Sequence, residues 1–262
     1  MTAARAWRRV SPAVLAAMLA LGGLAQARGD VSDPADAVFQ LMDIDAKDQW
    51  TPKMTGTAFF VRADGTAITN SHVVFPSLSQ PRRYRLLAIV GHTFYGVRVV
   101  CATRLSYDPI VYSGQPVPIG RDIAEVALEP PSFPFRTFAY RVPGGPEVTL
   151  GSAHDGPMPA FLPLIVADGP ATGEHVNVLG FGQISPIPAE WRAEGQISAF
   201  HMARDGTEVF DMQFQGRPQA GNSGSPVLND RGHVIGIWTW HSTTDSSVGS
   251  AQSNDVLRPP CR

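Results

Sequence analysis

Short apolar runs of strand length, separated by turn residues, constrain the fold of this chain more than any other feature. The runs 84–90 and 95–103 flank Gly91-His92 and are rich in aliphatic and aromatic residues, which predicts a hairpin. Beyond residue 27 no apolar pattern of helical spacing lasts three turns, and no internal repeat is present. With 262 residues, of which 44% are hydrophobic and 17% charged, the chain can form a full core. The sequence therefore predicts an all-β protein.

The first 27 residues have the composition of an export signal. Three arginines precede the apolar run 13–24, which ends in Ala25-Gln26-Ala27. The run is too short to cross a bilayer comfortably, and no later segment approaches the roughly 20 apolar residues that a membrane helix needs. We expect a signal peptide over 1–27, a short polar tail or propeptide over 28–36, no membrane anchor, and a secreted or periplasmic location.

Charge and cysteine content exclude several classes of function. Cleavage after Ala27 takes the formal net charge from −2 to −5, which disfavours nucleic acid as a partner. Cys101 and Cys261 are the two cysteines of an exported chain, so a disulfide is predicted, with two unpaired thiols as the alternative. Their wide spacing and the absence of an HExxH motif disfavour a zinc site. No metal and no other cofactor is expected.

The hexapeptide GNSGSP, residues 221–226, places one serine hydroxyl beside a candidate anion site. Ser223 is the candidate nucleophile, and the N–H groups of Gly221 and Ser223 form the candidate oxyanion hole, because glycine leaves room for a substrate. A serine needs a histidine to take its proton and a carboxylate to orient that histidine. His72 in TNSHVV and Asp122 at the start of DIAEVAL supply both. Asp108 is the alternative acid, although it precedes a proline in a predicted loop.

The chain order His72, Asp122, Ser223 distinguishes between folds. An α/β-hydrolase requires GxSxG with acid and histidine after the serine, whereas position 225 here is serine. The order and the segments TNSHVV and GNSGSPV resemble the trypsin/chymotrypsin superfamily of serine endopeptidases, and within it the bacterial branch of glutamyl endopeptidases and periplasmic heat-shock proteases. This resemblance implies two six-stranded antiparallel Greek-key barrels with the active site between them, and polypeptides as substrates.

The resemblance also implies the domain boundaries. An N-terminal barrel over 37–134 carries His72 and Asp122, and a C-terminal barrel over 135–262 carries Ser223. In the first we expect an initial strand within 37–42, and two strands around an Asp64-Gly65 turn with His72 at the end of the second. The proline-rich stretch 129–134 crosses to the second barrel. The strands of that barrel are predicted near 147–150, 161–166, 176–181, 196–202, 208–214 and 233–239, followed by a polar tail from 242.

Candidate substrate-binding residues rest on the resemblance alone. Arg217, six residues before the nucleophile, is placed at the base of the specificity pocket, where it would favour an acidic side chain; a solvated arginine is the alternative. Thr239 and Trp240 lie on the strand that would pair with substrate. Trp238 fits either this strand or the barrel core. His241 either narrows the mouth of the pocket or lies in solvent.

Two functions from different classes follow. The first is an exported serine endopeptidase that acts through an acyl-enzyme. The second is a secreted binding module that retains the triad but is blocked, for example by its tail or by His241. A chaperone-protease with a further peptide-binding domain is disfavoured, because the residues after His241 are too few to form such a domain.

Overall fold

The computed structural model of the protein describes residues 33–104, 120–141, 147–182, 189–215, 221–241, 245–258 and 261. A 3₁₀-helix, Pro34–Ala37, comes first, and Asp33 caps it by accepting a hydrogen bond from the Ala35 N–H at 3.0 Å. The segment 28–36, predicted to be a polar tail, therefore contains regular structure at its end.

The first barrel contains six antiparallel strands and one helix. The strands are β1 (Val38–Asp45), β2 (Thr51–Phe60), β3 (Thr66–Thr69), β4 (Tyr84–Val90), β5 (Thr93–Ala102) and β6 (Ala124–Glu129). Their order is β1-β2-β3-β6-β5-β4, and the pairing of β4 with β1 closes the ring. Helix α1 (Ser71–Ser79) follows β3. The predicted turn joins β2 to β3: Gly65 has φ +88°, and Asp64 accepts the Thr66 N–H at 2.9 Å.

A hairpin extends the sheet of the first barrel. Strands β7 (Thr137–Arg141) and β8 (Glu147–Ala153) pair with each other, and β8 runs parallel to β5 through the pair Thr93 and Ser152. The prediction that 147–150 belongs to the second barrel was wrong, and the sheet of the first barrel reaches past the predicted boundary at 134. The apolar residues of the hairpin pack on those of the first barrel: Phe138 and Leu150 lie in one cluster with Phe94.

The second barrel is a closed ring of six antiparallel strands, so the predicted fold of two six-stranded barrels is confirmed. Its order is β10-β11-β14-β13-β12-β9. The strands are β9 (His175–Gly182), β10 (Ala189–Met202), β11 (Glu208–Phe214), β12 (Pro226–Leu228), β13 (Val234–His241) and β14 (Val248–Ser253), and a 3₁₀-helix, Asn254–Leu257, follows. Strand β14 lies in the segment predicted to be a polar tail.

The apolar run 161–166 is not a strand, contrary to prediction. Only Val166 forms an isolated bridge, with Val234. Pro163 interrupts the run and has no N–H to donate, which disfavours continuous pairing. The Phe161 ring stacks on Phe60 of the first barrel with centroids 4.3 Å apart, whereas the Leu164 side chain packs in a cluster with Leu179 and Leu228 of the second barrel.

An apolar cluster joins the two barrels. Phe59 and Ile68 of the first barrel pack in one cluster with Leu179, Leu228 and Ile237 of the second. Burying these side chains between the sheets removes apolar surface from water and stabilises the docked arrangement. The candidate site residues lie on the elements that this cluster holds together.

Cys101 on β5 and Cys261 lie together, with Cα atoms 5.9 Å apart, a separation typical of a disulfide bond.

Candidate active site

His72 lies at the start of helix α1. Strand β3 ends at Thr69, so His72 is the second residue of the helix and not, as predicted, at the end of a strand. Ser71 fixes the start of the helix, because its hydroxyl donates to the Ile123 carbonyl at 2.6 Å. The backbone that carries His72 is therefore tied to the segment that carries Asp122.

Asp122 binds His72 with both carboxylate oxygens. Oδ2 lies 2.6 Å from Nδ1 of the ring, and Oδ1 accepts the backbone N–H of His72 at 3.0 Å. Only 4% of the Asp122 side chain is exposed, against 30% of the His72 side chain. Because a carboxylate accepts, Nδ1 of the ring carries the proton, and Nε2 of the neutral ring is left with a lone pair. This is the tautomer that a general base needs.

Burial and charge act in opposite directions on His72. Burial lowers the pKa of the imidazole, because it disfavours the charged ring. The negative charge of Asp122 and its hydrogen bond to the ring favour the charged form and outweigh burial. The pKa of His72 therefore lies above its ordinary value. The neutral, proton-accepting form of the ring therefore predominates only above this raised pKa.

Ser223 is held against the first barrel by Thr57 on β2. The Thr57 N–H donates to the Ser223 carbonyl at 2.8 Å, and the Thr57 hydroxyl donates to the Gly221 carbonyl at 3.0 Å. The Thr69 hydroxyl in turn donates to the Thr57 carbonyl at 2.7 Å. Since Thr69 lies three residues before His72, this chain of bonds joins the serine loop to the histidine segment.

Two glycines allow this close approach. Gly221 has φ +98° and Gly224 has φ +90°, which side-chain-bearing residues rarely adopt. A Cβ on Gly224 would lie 2.1 Å from the Thr57 carbonyl oxygen and 2.4 Å from the Thr69 hydroxyl. The glycine of GNSGSP at 224 is thus required by packing between the barrels as well as by the turn.

The reactive groups of the serine loop make few contacts in the described part of the chain. There, the half-buried Ser223 hydroxyl forms no hydrogen bond to the His72 ring, and the N–H groups of Gly221 and Ser223 donate to no protein acceptor. Catalytic hydrogen bonds are often long without substrate and shorten in the complex. Two N–H donors without a partner in the described chain, one on each side of Asn222, are available to bind an oxyanion.

The candidate pocket residues have different environments. Trp238 is a core residue, 2% exposed, and its ring lies 5.1 Å from that of Phe214. Thr239 is buried, and its hydroxyl accepts from Asn70 Nδ2 at 3.1 Å and from Gln252 Nε2 at 2.9 Å, so its side chain is not free to contact a substrate. Trp240 is half-buried and His241 exposed on the last residues of β13. Arg217 and the alternative acid Asp108 lie outside the described residues.

Sequence reasoning missed the side chains that hold the main chain of Asp122. Asn70 donates to the Asp122 carbonyl at 2.7 Å, and the Gln252 amide contacts both the N–H and the carbonyl of Asp122. Asn70 directly precedes Ser71-His72, so its position in the histidine motif is the signal that marks it. Nothing local marks Gln252, which is 130 residues from Asp122 in sequence.

The described residues contain no cluster of three or more His, Cys, Asp or Glu side chains suited to a metal ion. Nor does any helix in the described ranges combine the length and apolar character needed to cross a membrane.

A histidine bound to a buried carboxylate, and a serine loop held by Thr57 against the barrel that carries this histidine, are features of trypsin-like serine proteases. The family model of the trypsin-like peptidase domain matches residues 56–237, and the chain belongs to this family. It is a serine endopeptidase. No curated protein matches the chain.

Solved structures support the same fold at low sequence identity. Deg5 is 16% identical with a TM-score of 0.55, over 86% of this chain and 87% of that one. The active form of the Rv3671c protease from M. tuberculosis is 18% identical with a TM-score of 0.52, over 98% and 92%. A serine endoprotease from Yersinia pestis is 15% identical with a TM-score of 0.53, over 86% of this chain and 61% of that one. At these identities the likeness concerns the fold alone.

Proposed function

We propose that this protein is an exported endopeptidase in which Ser223, His72 and Asp122 act as a catalytic triad through an acyl-enzyme. The observation that carries the proposal is the bond of 2.6 Å between His72 Nδ1 and a carboxylate oxygen of Asp122 that is almost fully buried. This bond selects the tautomer in which Nε2 can accept the serine proton. Thr57 supports the proposal by binding the serine loop to the barrel that carries the histidine.

The reaction follows from these positions. Ser223 Oγ attacks the scissile carbonyl carbon while its proton passes to His72 Nε2, and the carbonyl oxygen becomes an oxyanion. The N–H groups of Gly221 and Ser223 stabilise that oxyanion, at about 3 kcal/mol per donor. The imidazolium then protonates the leaving amine and the C–N bond breaks. Water, activated by the same histidine, hydrolyses the ester and restores the Ser223 hydroxyl.

Substrate binding is assigned to the end of strand β13. Strand β12 pairs with β13 only as far as Ile237, so beyond Trp238 strand β13 has β14 on one side and no described strand on the other. An extended peptide can add to such an edge through its main chain. Trp240 and His241 would flank this peptide. The role of Arg217 in selecting an acidic side chain rests on its position in the sequence.

Export and the disulfide belong to the same proposal. The arginine-containing, apolar N-terminal segment is the basis for a signal peptide over 1–27, and structural disulfides form and persist chiefly in oxidising compartments. A secreted or periplasmic location satisfies both. N-terminal sequencing of the protein recovered outside the cytoplasm would test the cleavage after Ala27; recovery with residue 1 retained would contradict it.

A peptidyl phosphonate tests the function directly, because only a serine activated by a base reacts with it. The wild type should be labelled on Ser223 and should hydrolyse a mixed peptide library, and the Ser223→Ala variant should do neither while keeping its fold. Ser225→Ala is the matched control, since Ser225 lies two residues away with a buried side chain; it should be labelled. A folded wild type that takes no label would favour the blocked binding module.

A further inference from the structure

Asp122 lies outside the regular sheet, so its main chain needs partners from elsewhere. Strand β6 begins two residues later, at Ala124, and the pairing of β3 with β6 ends there. Asp122 is only 3% exposed. A buried peptide group without a hydrogen-bond partner is strongly unfavourable, which makes the source of these bonds important for the position of the residue.

Gln252 supplies these bonds from the second barrel. Its Oε1 accepts the Asp122 N–H at 2.8 Å, and its Nε2 donates to the Asp122 carbonyl at 3.2 Å. The amide of the side chain thus binds Asp122 as the peptide of a neighbouring strand would. Gln252 is fully buried, and its own backbone pairs on one side with Val209 of β11 and on the other with Ile237 of β13.

Thr239 fixes the orientation of the Gln252 amide. The Thr239 hydroxyl donates to the Ile237 carbonyl at 3.1 Å, so its oxygen must accept from Gln252 Nε2 at 2.9 Å and from Asn70 Nδ2 at 3.1 Å. A flipped amide would place oxygen against the Asp122 carbonyl and nitrogen against the Asp122 N–H. Only one orientation satisfies every partner.

We propose that Gln252 is a positioning residue for the catalytic acid: through the main chain of Asp122, it sets where the carboxylate meets His72. This proposal rests on the proposed triad. Asn70 still holds the Asp122 carbonyl when Gln252 is removed, but in the described chain the Asp122 N–H has Gln252 as its acceptor. Without that acceptor, Asp122 rotates to find another, and both carboxylate oxygens lose their alignment with His72. Small displacements of this kind have large effects on rate.

The test compares Gln252→Met, which is similar in size but cannot hydrogen-bond, with the wild type well below the unfolding temperature of either. We expect kcat to fall about tenfold or more with little change in KM. The pKa on the acidic limb of the kcat/KM profile should move down, because Asp122 raises the pKa of His72. The low-field NMR resonance of the His72 Nδ1 proton should shift or broaden.

Gln213→Met is the matched control. Gln213 is exposed on β11, where its amide donates to Ser247 at 2.6 Å, and its loss should leave the pH profile and the resonance unchanged. If Gln252→Met does not fold, Thr239→Val, which removes the hydroxyl that orients the amide, should move both readouts in the same direction by less. An unchanged pH profile and resonance in a folded Gln252 variant would overturn the proposal.

The NMR resonance keeps this test separate from the test of function, since it needs no turnover. A wild type without peptidase activity or phosphonate labelling would refute the proposed function. The comparison of the His72 resonance between wild type and Gln252→Met would still decide whether Gln252 positions Asp122.

Discussion

Asp43 provides a test of how burial in the first barrel affects stability. It lies on β1, two residues beyond the core residue Leu41, and is 1% exposed. The hydroxyl of Ser77 on α1 donates to Oδ1, whereas Oδ2 has no hydrogen-bond partner among the described residues. Burial raises the pKa of Asp43 to about 7, although the bond from Ser77 acts in the opposite direction.

The sign of the effect follows from proton binding. Between pH 3.8 and about 7 the folded protein holds a proton on Asp43 that the unfolded chain has released. The contribution of Asp43 to the free energy of unfolding is therefore highest below pH 4, falls by about 1.4 kcal/mol per pH unit, and levels off above pH 7. The total loss is about 4 kcal/mol. Asparagine cannot ionise, so Asp43→Asn removes this loss and keeps an oxygen that can accept from Ser77.

Urea unfolding of both proteins at pH 5 and pH 8 measures the effect, in a Ser223→Ala background that prevents self-digestion. Relative to the protein that retains Asp43, the Asp43→Asn variant should gain about 3 kcal/mol in free energy of unfolding between the two pH values. Asp155→Asn, at an exposed position, is the control and should show no such gain. A stability difference between the Asp43→Asn variant and its parent that does not depend on pH would refute the reasoning, because burial would then not act on the charge.

Three further predictions concern the triad, the disulfide and specificity. Asp122→Asn should lower kcat by about 10⁴-fold through the wrong histidine tautomer, while Asp108→Asn should change it little; the reverse result in peptide assays would reassign the acid. The bond between Cys101 and Cys261 closes a separation of 160 residues, so its reduction should lower the free energy of unfolding by up to about 5 kcal/mol, and alkylation of both thiols without reductant would contradict it. Among matched peptides with Glu, Lys, Leu or Ala on the acyl side of the scissile bond, Arg217→Ala should slow the hydrolysis of the Glu peptide only. Equal rates on the Glu peptide in the wild type and the variant would show that Arg217 does not select the substrate.

Strands with local signals could be predicted from the sequence. The hairpin of β4 and β5 has dense aliphatic and aromatic residues on both sides of Gly91, and its predicted bounds agree closely with the observed ones. Strand β14 has no such signal, because its residues are mostly small and polar although five of the six are buried. The close contact at Gly249 explains part of this composition, since a Cβ there would lie 1.8 Å from the Trp238 ring. The small residues of β14 are therefore explained by contacts with residues distant in sequence, which no local pattern indicates.

The same limit applies to the site. His72 and Ser223 lie in short motifs whose neighbouring residues form the same helix start or the same turn. The residues on either side therefore identify them in the sequence. Gln252 is a single amide in a polar segment, and its partner Asp122 is distant in sequence. Only the pairing of β14 between β11 and β13 brings the two together. Because this contact forms only once the strands of the sheet are paired, no local sequence pattern predicts it.

Asp122, the proposed catalytic acid, therefore belongs to the first barrel by sequence and to the second by the hydrogen bonds of its main chain. The Arg121 N–H donates to Asp205 at 2.7 Å, and the Asp122 N–H donates to Gln252 at 2.8 Å, so two consecutive peptide groups are held by side chains of the second barrel. The carboxylate of the same residue binds His72, which the first barrel carries. Because these bonds exist only when the barrels are docked, the alignment of Asp122 with His72 and the docking of the barrels are coupled. A change that loosens the interface should reduce activity through the acid even where the serine loop is intact.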